Sequence, residues 1–143
     1  MSPSLAVVVV VLIAAFGLAY VINRLIALRA GLLKDTTSTA GSDAVDTSDL
    51  GLSDTGPTVV HFSAPWCSPC THVRRVVTQV CDDLGDVAHV EIDMDANPAA
   101  ARRLSVLSLP TTFIFDAHGR QRYRAAGVPK ADDLRSALTP LLA

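Results

Sequence analysis

Cys67 and Cys70 stand two residues apart in the run Ala64-Pro65-Trp66-Cys67-Ser68-Pro69-Cys70. Their sulfurs can meet only if the chain turns tightly between them. A helix that begins there supplies the turn, because proline in a first helical turn gives up no needed N–H and brings a pre-set φ. The N-terminus of such a helix carries partial positive charge and free N–H groups, which favour a thiolate over a thiol. The run Val59-Val60-His61-Phe62 just before it reads as a buried strand. Strand, CxxC and helix in that order are the arrangement of a redox dithiol. A four-ligand zinc site would need a second Cys or His pair at matching spacing, and Cys81 is the one cysteine left. Haem attachment would need His directly after the second cysteine, where Thr71 stands. A purely structural disulfide at this spacing would close too small a loop to constrain much chain.

The elements around the pair follow from periodicity. Thr58 to Ala64 is expected as a central strand, and a helix from Ser68 places Val73, Val76, Val77, Val80, Cys81 and Leu84 on one face, with Gly85 as its stop. A strand over Val87 to Asp93 and a short helix from Asn97-Pro98 through Leu104 come next. Thr112 to Phe115 and Gln121 to Ala125 read as a hairpin turned by Asp116-Ala117-His118-Gly119, and Asp132 to Leu142 as a closing amphipathic helix. The order β-α-β-α-β-β-α implies an α/β fold, a mixed sheet of about four strands with helices on both faces.

Upstream, Leu5 to Ile22 is an unbroken run of apolar and small residues. As a helix it spans about 27 Å, close to a bilayer core. A signal peptide is the alternative, but it usually opens with a positive region, and Met1-Ser2-Pro3-Ser4 offers only the α-amino group. A retained membrane anchor is therefore expected in residues 1–33. Arg24, Arg29 and Lys34 follow the run and no Lys or Arg precedes it, which puts the C-terminal part on the cytoplasmic side, the extracytoplasmic side being the alternative. Residues 34–56 carry Asp35, Asp43, Asp46, Asp49 and Asp54 among Ser, Thr and Gly, and read as a flexible acidic linker whose Leu50-Gly51-Leu52 could dock on the domain. The folded domain is expected over 57–143. Its charges nearly cancel, which argues against a nucleic-acid surface, and Arg74-Arg75 and Arg120, Arg122 and Arg124 read as solvated faces.

Taken together, the domain resembles the thioredoxin family. The resemblance rests on Ala64-Pro65-Trp66-Cys67-Ser68-Pro69-Cys70, Asp93 with Asn97-Pro98, Leu109-Pro110-Thr111 before the hairpin, Gly119 in its turn and Gly127 after it. It covers Thr58 to the C-terminus, without the family's extra N-terminal strand and helix. It implies a thioredoxin-like fold and a thiol–disulfide oxidoreductase of protein-disulfide-reductase type. Cys67 would be the nucleophile and Cys70 the resolving thiol of a mixed-disulfide mechanism. Pro110 would be a cis-proline facing the dithiol, and Trp66, Leu109, Thr111, Ala126 and Gly127 would line the substrate groove with it. No cofactor beyond the redox-active Cys67–Cys70 disulfide and no metal are implied. The partners implied are protein disulfide substrates and a thiol reductase as electron donor.

The chain departs from the family where a buried acid and its lysine are expected. His61 and Glu91 stand there instead. A His61–Glu91 pair could move protons to and from Cys70, since histidine titrates nearest neutrality, while the plainer reading is a strand histidine with no catalytic part. Ser68 replaces a glycine between the cysteines, and Arg75 stands at a place where a kinking proline is common. Cys81 reads as core, His72 as a surface histidine, and His89 and His118 as strand and turn surface. The function class that competes with the enzyme is a metal- or partner-binding module using Cys67, Cys70 and His72 as soft ligands. An envelope-facing role in disulfide or cytochrome maturation is the alternative if the topology is reversed.

Overall fold

The computed structural model describes residues 3–29, 33–35 and 45–143, with side chains described for 6–26, 33 and 45–143. Helix α1 (Pro3–Arg29) contains an apolar stretch, Ala6–Ile26, long enough to cross a membrane. It forms one unit by itself, and the second unit runs from Gly31 to Ala143.

In the second unit the elements are β1 (Lys34–Asp35), β2 (Thr58–Ser63), α2 (Ser68–Leu84), β3 (Ala88–Asp93), α3 (Pro98–Arg103), β4 (Thr111–Phe115), β5 (Gln121–Ala126) and α4 (Ala131–Leu138), closed by a 3₁₀ turn (Thr139–Leu141). The sheet order is β1-β5-β4-β2-β3. β2 runs parallel to β3 and antiparallel to β4, and β4 pairs antiparallel with β5. A parallel neighbour demands a crossover, and α2 provides it. The mixed α/β sheet expected from the sequence is therefore present, with the two-residue β1 added at one edge.

Every residue of β2 is buried, so its alternating side chains feed two cores rather than one. Val59 joins Ile114 of β4 under α2 and α4, among Val73, Val77, Val80, Leu134 and Leu138. Val60 and Phe62 join Phe113 and Phe115 on the other face, under Ala100, Ala101 and Leu104 of the α3 region. Phe62 and Phe113 meet edge to face with ring centroids 5.9 Å apart. Helix α2 ends where Gly85 takes φ 82° and its N–H returns to the Cys81 carbonyl, a left-handed backbone that glycine adopts without a Cβ clash.

Two features lie upstream of the expected domain start at residue 57. Lys34 and Asp35 pair with Arg124 and Tyr123 along the edge of β5. Leu50, 2% exposed, completes the phenylalanine-rich core, with Leu52 packed beside it. Packing of the domain thus begins before Pro57, because one leucine can bury fully even in a polar segment. The remainder of the expected linker, 36–44, lies outside the described residues.

Candidate functional site

The dithiol sits where β2 gives way to α2. Cys67 is the N-cap of α2, in extended backbone with φ −86° and ψ 93°, and Pro69 occupies the first turn. Cys67 N–H donates to the Ala64 carbonyl at 3.0 Å and Cys70 N–H to the Cys67 carbonyl at 3.2 Å. That turn brings the two Cα atoms to 5.5 Å, and the sulfurs are joined as a disulfide. Cys70 lies deeper than Cys67, and its Sγ points at the Phe62 carbonyl 4.0 Å away. Reduction would leave Cys67 at the positive end of a 17-residue helix, where a thiolate is favoured.

The other residues expected at the site lie on three short segments, 64–66, 109–111 and 126–127. Ala64 forms a buried cluster with the two cysteines, and Leu109 packs against that cluster. The Leu109–Pro110 peptide is cis, and the Pro110 carbonyl accepts the Gly127 N–H at 2.8 Å. Thr111 opens β4 opposite Ala126 of β5, which ties both residues into the sheet. Trp66 is 66% exposed, and its indole N–H donates to Asp95 Oδ2 at 2.9 Å.

This dithiol-bearing region lies within residues 46–140, which match the family model for thioredoxin. The chain belongs to the thioredoxin family. Thioredoxins are thiol–disulfide oxidoreductases that act on protein disulfides and are themselves reduced by a reductase, without a bound cofactor. The chain is 38% identical to the thioredoxin of Mycolicibacterium smegmatis over 57% of its own length and 75% of that protein's. With the thioredoxin of Streptomyces clavuligerus the identity is 30%, over 78% of this chain and 98% of the relative. Among solved structures, a mutant thioredoxin from Halobacterium salinarum superposes with a TM-score of 0.58 at 31% identity, covering 64% of this chain and 79% of that one.

Beneath α2 this thioredoxin domain holds a polar cluster. His61 shares the Val59 face of β2, under α2, and is wholly buried. The parallel register sets His61 beside Glu91 on β3, and Nε2 lies 3.5 Å from Glu91 Oε1. Burial pushes the His61 pKa down to about 4 against the pull of Glu91, so the imidazole is neutral at pH 7. Arg74 grips Glu91 through two hydrogen bonds of 2.6 and 2.5 Å, which holds that carboxyl down to about 2. The contact between His61 and Glu91 is therefore a neutral ring beside a carboxylate.

Several residues read as surface in the sequence have partners here. His89 is half-buried, its Nε2 lies 2.9 Å from His61 Nδ1, and the two rings stack with centroids 5.0 Å apart. Arg74 holds Glu91, as above. Arg124 donates to the Leu104 and Ser105 carbonyls and lies 5.1 Å over the Phe113 ring. Arg120 and Arg122 both reach Asp116. The period-2 position of His89 relative to Glu91 was the available signal, since both lie on the face of β3 turned to His61.

Cys81 is buried on α2, and burial raises its thiol to about 11, which keeps it protonated and unreactive. His72 is exposed on the first turns of α2. Among the described residues no three His, Cys, Asp or Glu side chains are grouped to hold a metal ion.

Proposed function

We propose that this protein is a membrane-tethered protein disulfide reductase whose dithiol faces the cytoplasm. The observation that carries the reading is the Cys67–Cys70 disulfide at the N-terminus of α2 in a thioredoxin domain. In the reduced protein the Cys67 thiolate attacks one sulfur of a substrate disulfide. A Cys67–substrate bond forms and the first substrate thiolate leaves, to be protonated from solvent. Cys70 then gives up its proton and attacks Cys67 Sγ, which releases the second substrate thiolate and re-forms the Cys67–Cys70 bond. Two electrons pass to the substrate, and a dithiol reductase restores them. Trp66, Leu109, Pro110, Thr111, Ala126 and Gly127 form the groove that aligns the substrate chain with Cys67.

His61 takes part in moving the Cys70 proton. As a neutral ring it accepts at one nitrogen while releasing at the other, and His89 is the next group along. The Glu91 carboxylate beside it favours the cationic form through which such a transfer passes.

Helix α1 supports the tether, since Ala6–Ile26 has the length and apolarity of a membrane span. Arg24, Arg29 and Lys34 on its C-terminal side favour a cytoplasmic domain. A cysteine introduced as Ser42→Cys, probed on intact cells with a membrane-impermeant maleimide against the unsubstituted chain, tests the topology. Labelling only after lysis is expected. Labelling of intact cells would reverse the orientation, and release of the domain from washed membranes would remove the anchor.

A further inference from the structure

Leu107 is 92% exposed, the most exposed large apolar side chain among the described residues. A single exposed leucine is ordinary. What sets this one apart is how firmly its loop is held. The Leu104 and Ser105 carbonyls accept from Arg124 at 3.1 and 2.6 Å, and the Val106 N–H donates to the Ala101 carbonyl at 2.8 Å. On the far side the Thr111 hydroxyl donates to the Ser108 carbonyl at 2.7 Å. Ser105 takes φ 51°, a left-handed turn rare for a residue with a side chain. Val106 just before it and Leu109 two residues after it both pack on the core. The backbone is therefore clamped at four points while the leucine between them stands in water.

We infer that Leu107 is a specificity-determining residue, which receives an apolar side chain flanking the cysteine of the substrate disulfide. Two residues on, Leu109 packs against the buried cluster of Ala64, Cys67 and Cys70, which ties this loop to the dithiol. A pre-fixed apolar contact loses little entropy on binding, whereas a mobile one would offset much of its gain in ordering. Trp66, the next most exposed apolar group in the domain, is likewise held, through its bond to Asp95. The substrate class is a disulfide-bonded protein segment with Leu, Ile, Phe or Val beside its cysteine, in preference to one bearing a polar or charged residue there. The inference rests on the reductase reading above.

The test uses the full chain in detergent micelles and two peptide disulfides that differ only in Leu or Ser beside the cysteine. The unsubstituted protein is expected to favour the Leu peptide in kcat/KM. Leu107→Ser should lower that preference about tenfold, mostly through KM, and Leu107→Met should restore it. A preference unchanged in Leu107→Ser, with turnover intact, would overturn the inference and leave the reductase reading standing. Absence of turnover on either peptide by the unsubstituted protein would overturn both. Thermal unfolding of each variant separates a specificity change from a folding defect.

Discussion

His61 Nδ1 and His89 Nε2 lie 2.9 Å apart, joining a ring with no solvent exposure to one that is half-buried. Of two nitrogens in such contact one donates and one accepts, so the two rings are not both cationic. Burial and the neighbouring imidazole both act in that direction on His61, and burial also lowers the pKa of His89. Glu91 opposes them but is already engaged by Arg74.

Acid should destabilise the domain in two successive windows. The unfolded chain takes up a proton at His61 near pH 6.5, and the folded one only near 4. Stability contributed by the neutral ring is thus complete above pH 6.5 and lost as pH falls to about 4, with a slope of about 1.4 kcal/mol per pH unit for one proton. The Glu91 carboxylate, depressed to about 2, adds stability present above its unfolded value near 4.5 and lost as pH falls through about 2. Denaturant titrations at pH 7, 5.5 and 4 should show the first loss in the unsubstituted protein and a smaller one, left to His89, in His61→Asn. Arg74→Gln should move the second window upward.

Replacing His61 should slow resolution of the mixed disulfide. His61→Ala or His61→Asn is expected to lower the rate of that step at least tenfold with the disulfide still able to form. Because His61 stays neutral from pH 6 to 8, the unsubstituted rate in that range should follow thiol ionisation without a histidine inflection. Stopped-flow measurement of the single turnover checks both points. Equal rates in folded variants would remove His61 from the proton path.

Leu50 should carry measurable stability although it lies in a polar segment. Leu50→Ala is expected to cost about 2–4 kcal/mol in urea unfolding, since a 2% exposed leucine leaves a cavity beside Phe113 and Phe115. Leu50→Ala indistinguishable from the unsubstituted protein would return this segment to the status of a free linker.

The elements that carry the chemistry were legible because their signals are local. Pro69 after Cys67, the apolar stripe on α2, Gly85 at its end and the turn at Asp116–Gly119 each specify a conformation within a few residues. What the sequence hid depends on register across the sheet. His89 lies 28 residues from His61, and only the parallel pairing of β2 with β3 brings the rings together. Arg74 reads as a solvated charge on the exposed face of α2 until the fold places Glu91 within its reach. Arg124 reads likewise as surface until the strand carries it to the carbonyls of the Leu104–Ser105 turn. The pairing of Lys34 and Asp35 with β5 involves two residues and leaves no periodicity to detect.

The central claim is that Cys67 attacks and Cys70 resolves. It is tested most directly by trapping. The full-length Cys70→Ser protein, reduced and mixed with a disulfide-bonded substrate such as insulin, should accumulate a covalent adduct on Cys67. Mass spectrometry would locate that adduct, and dithiothreitol would release it. Cys67→Ser should form no adduct and show no turnover. An adduct that forms on Cys70 when Cys67 is replaced, or substrate reduction that persists in Cys67→Ser, would contradict the account.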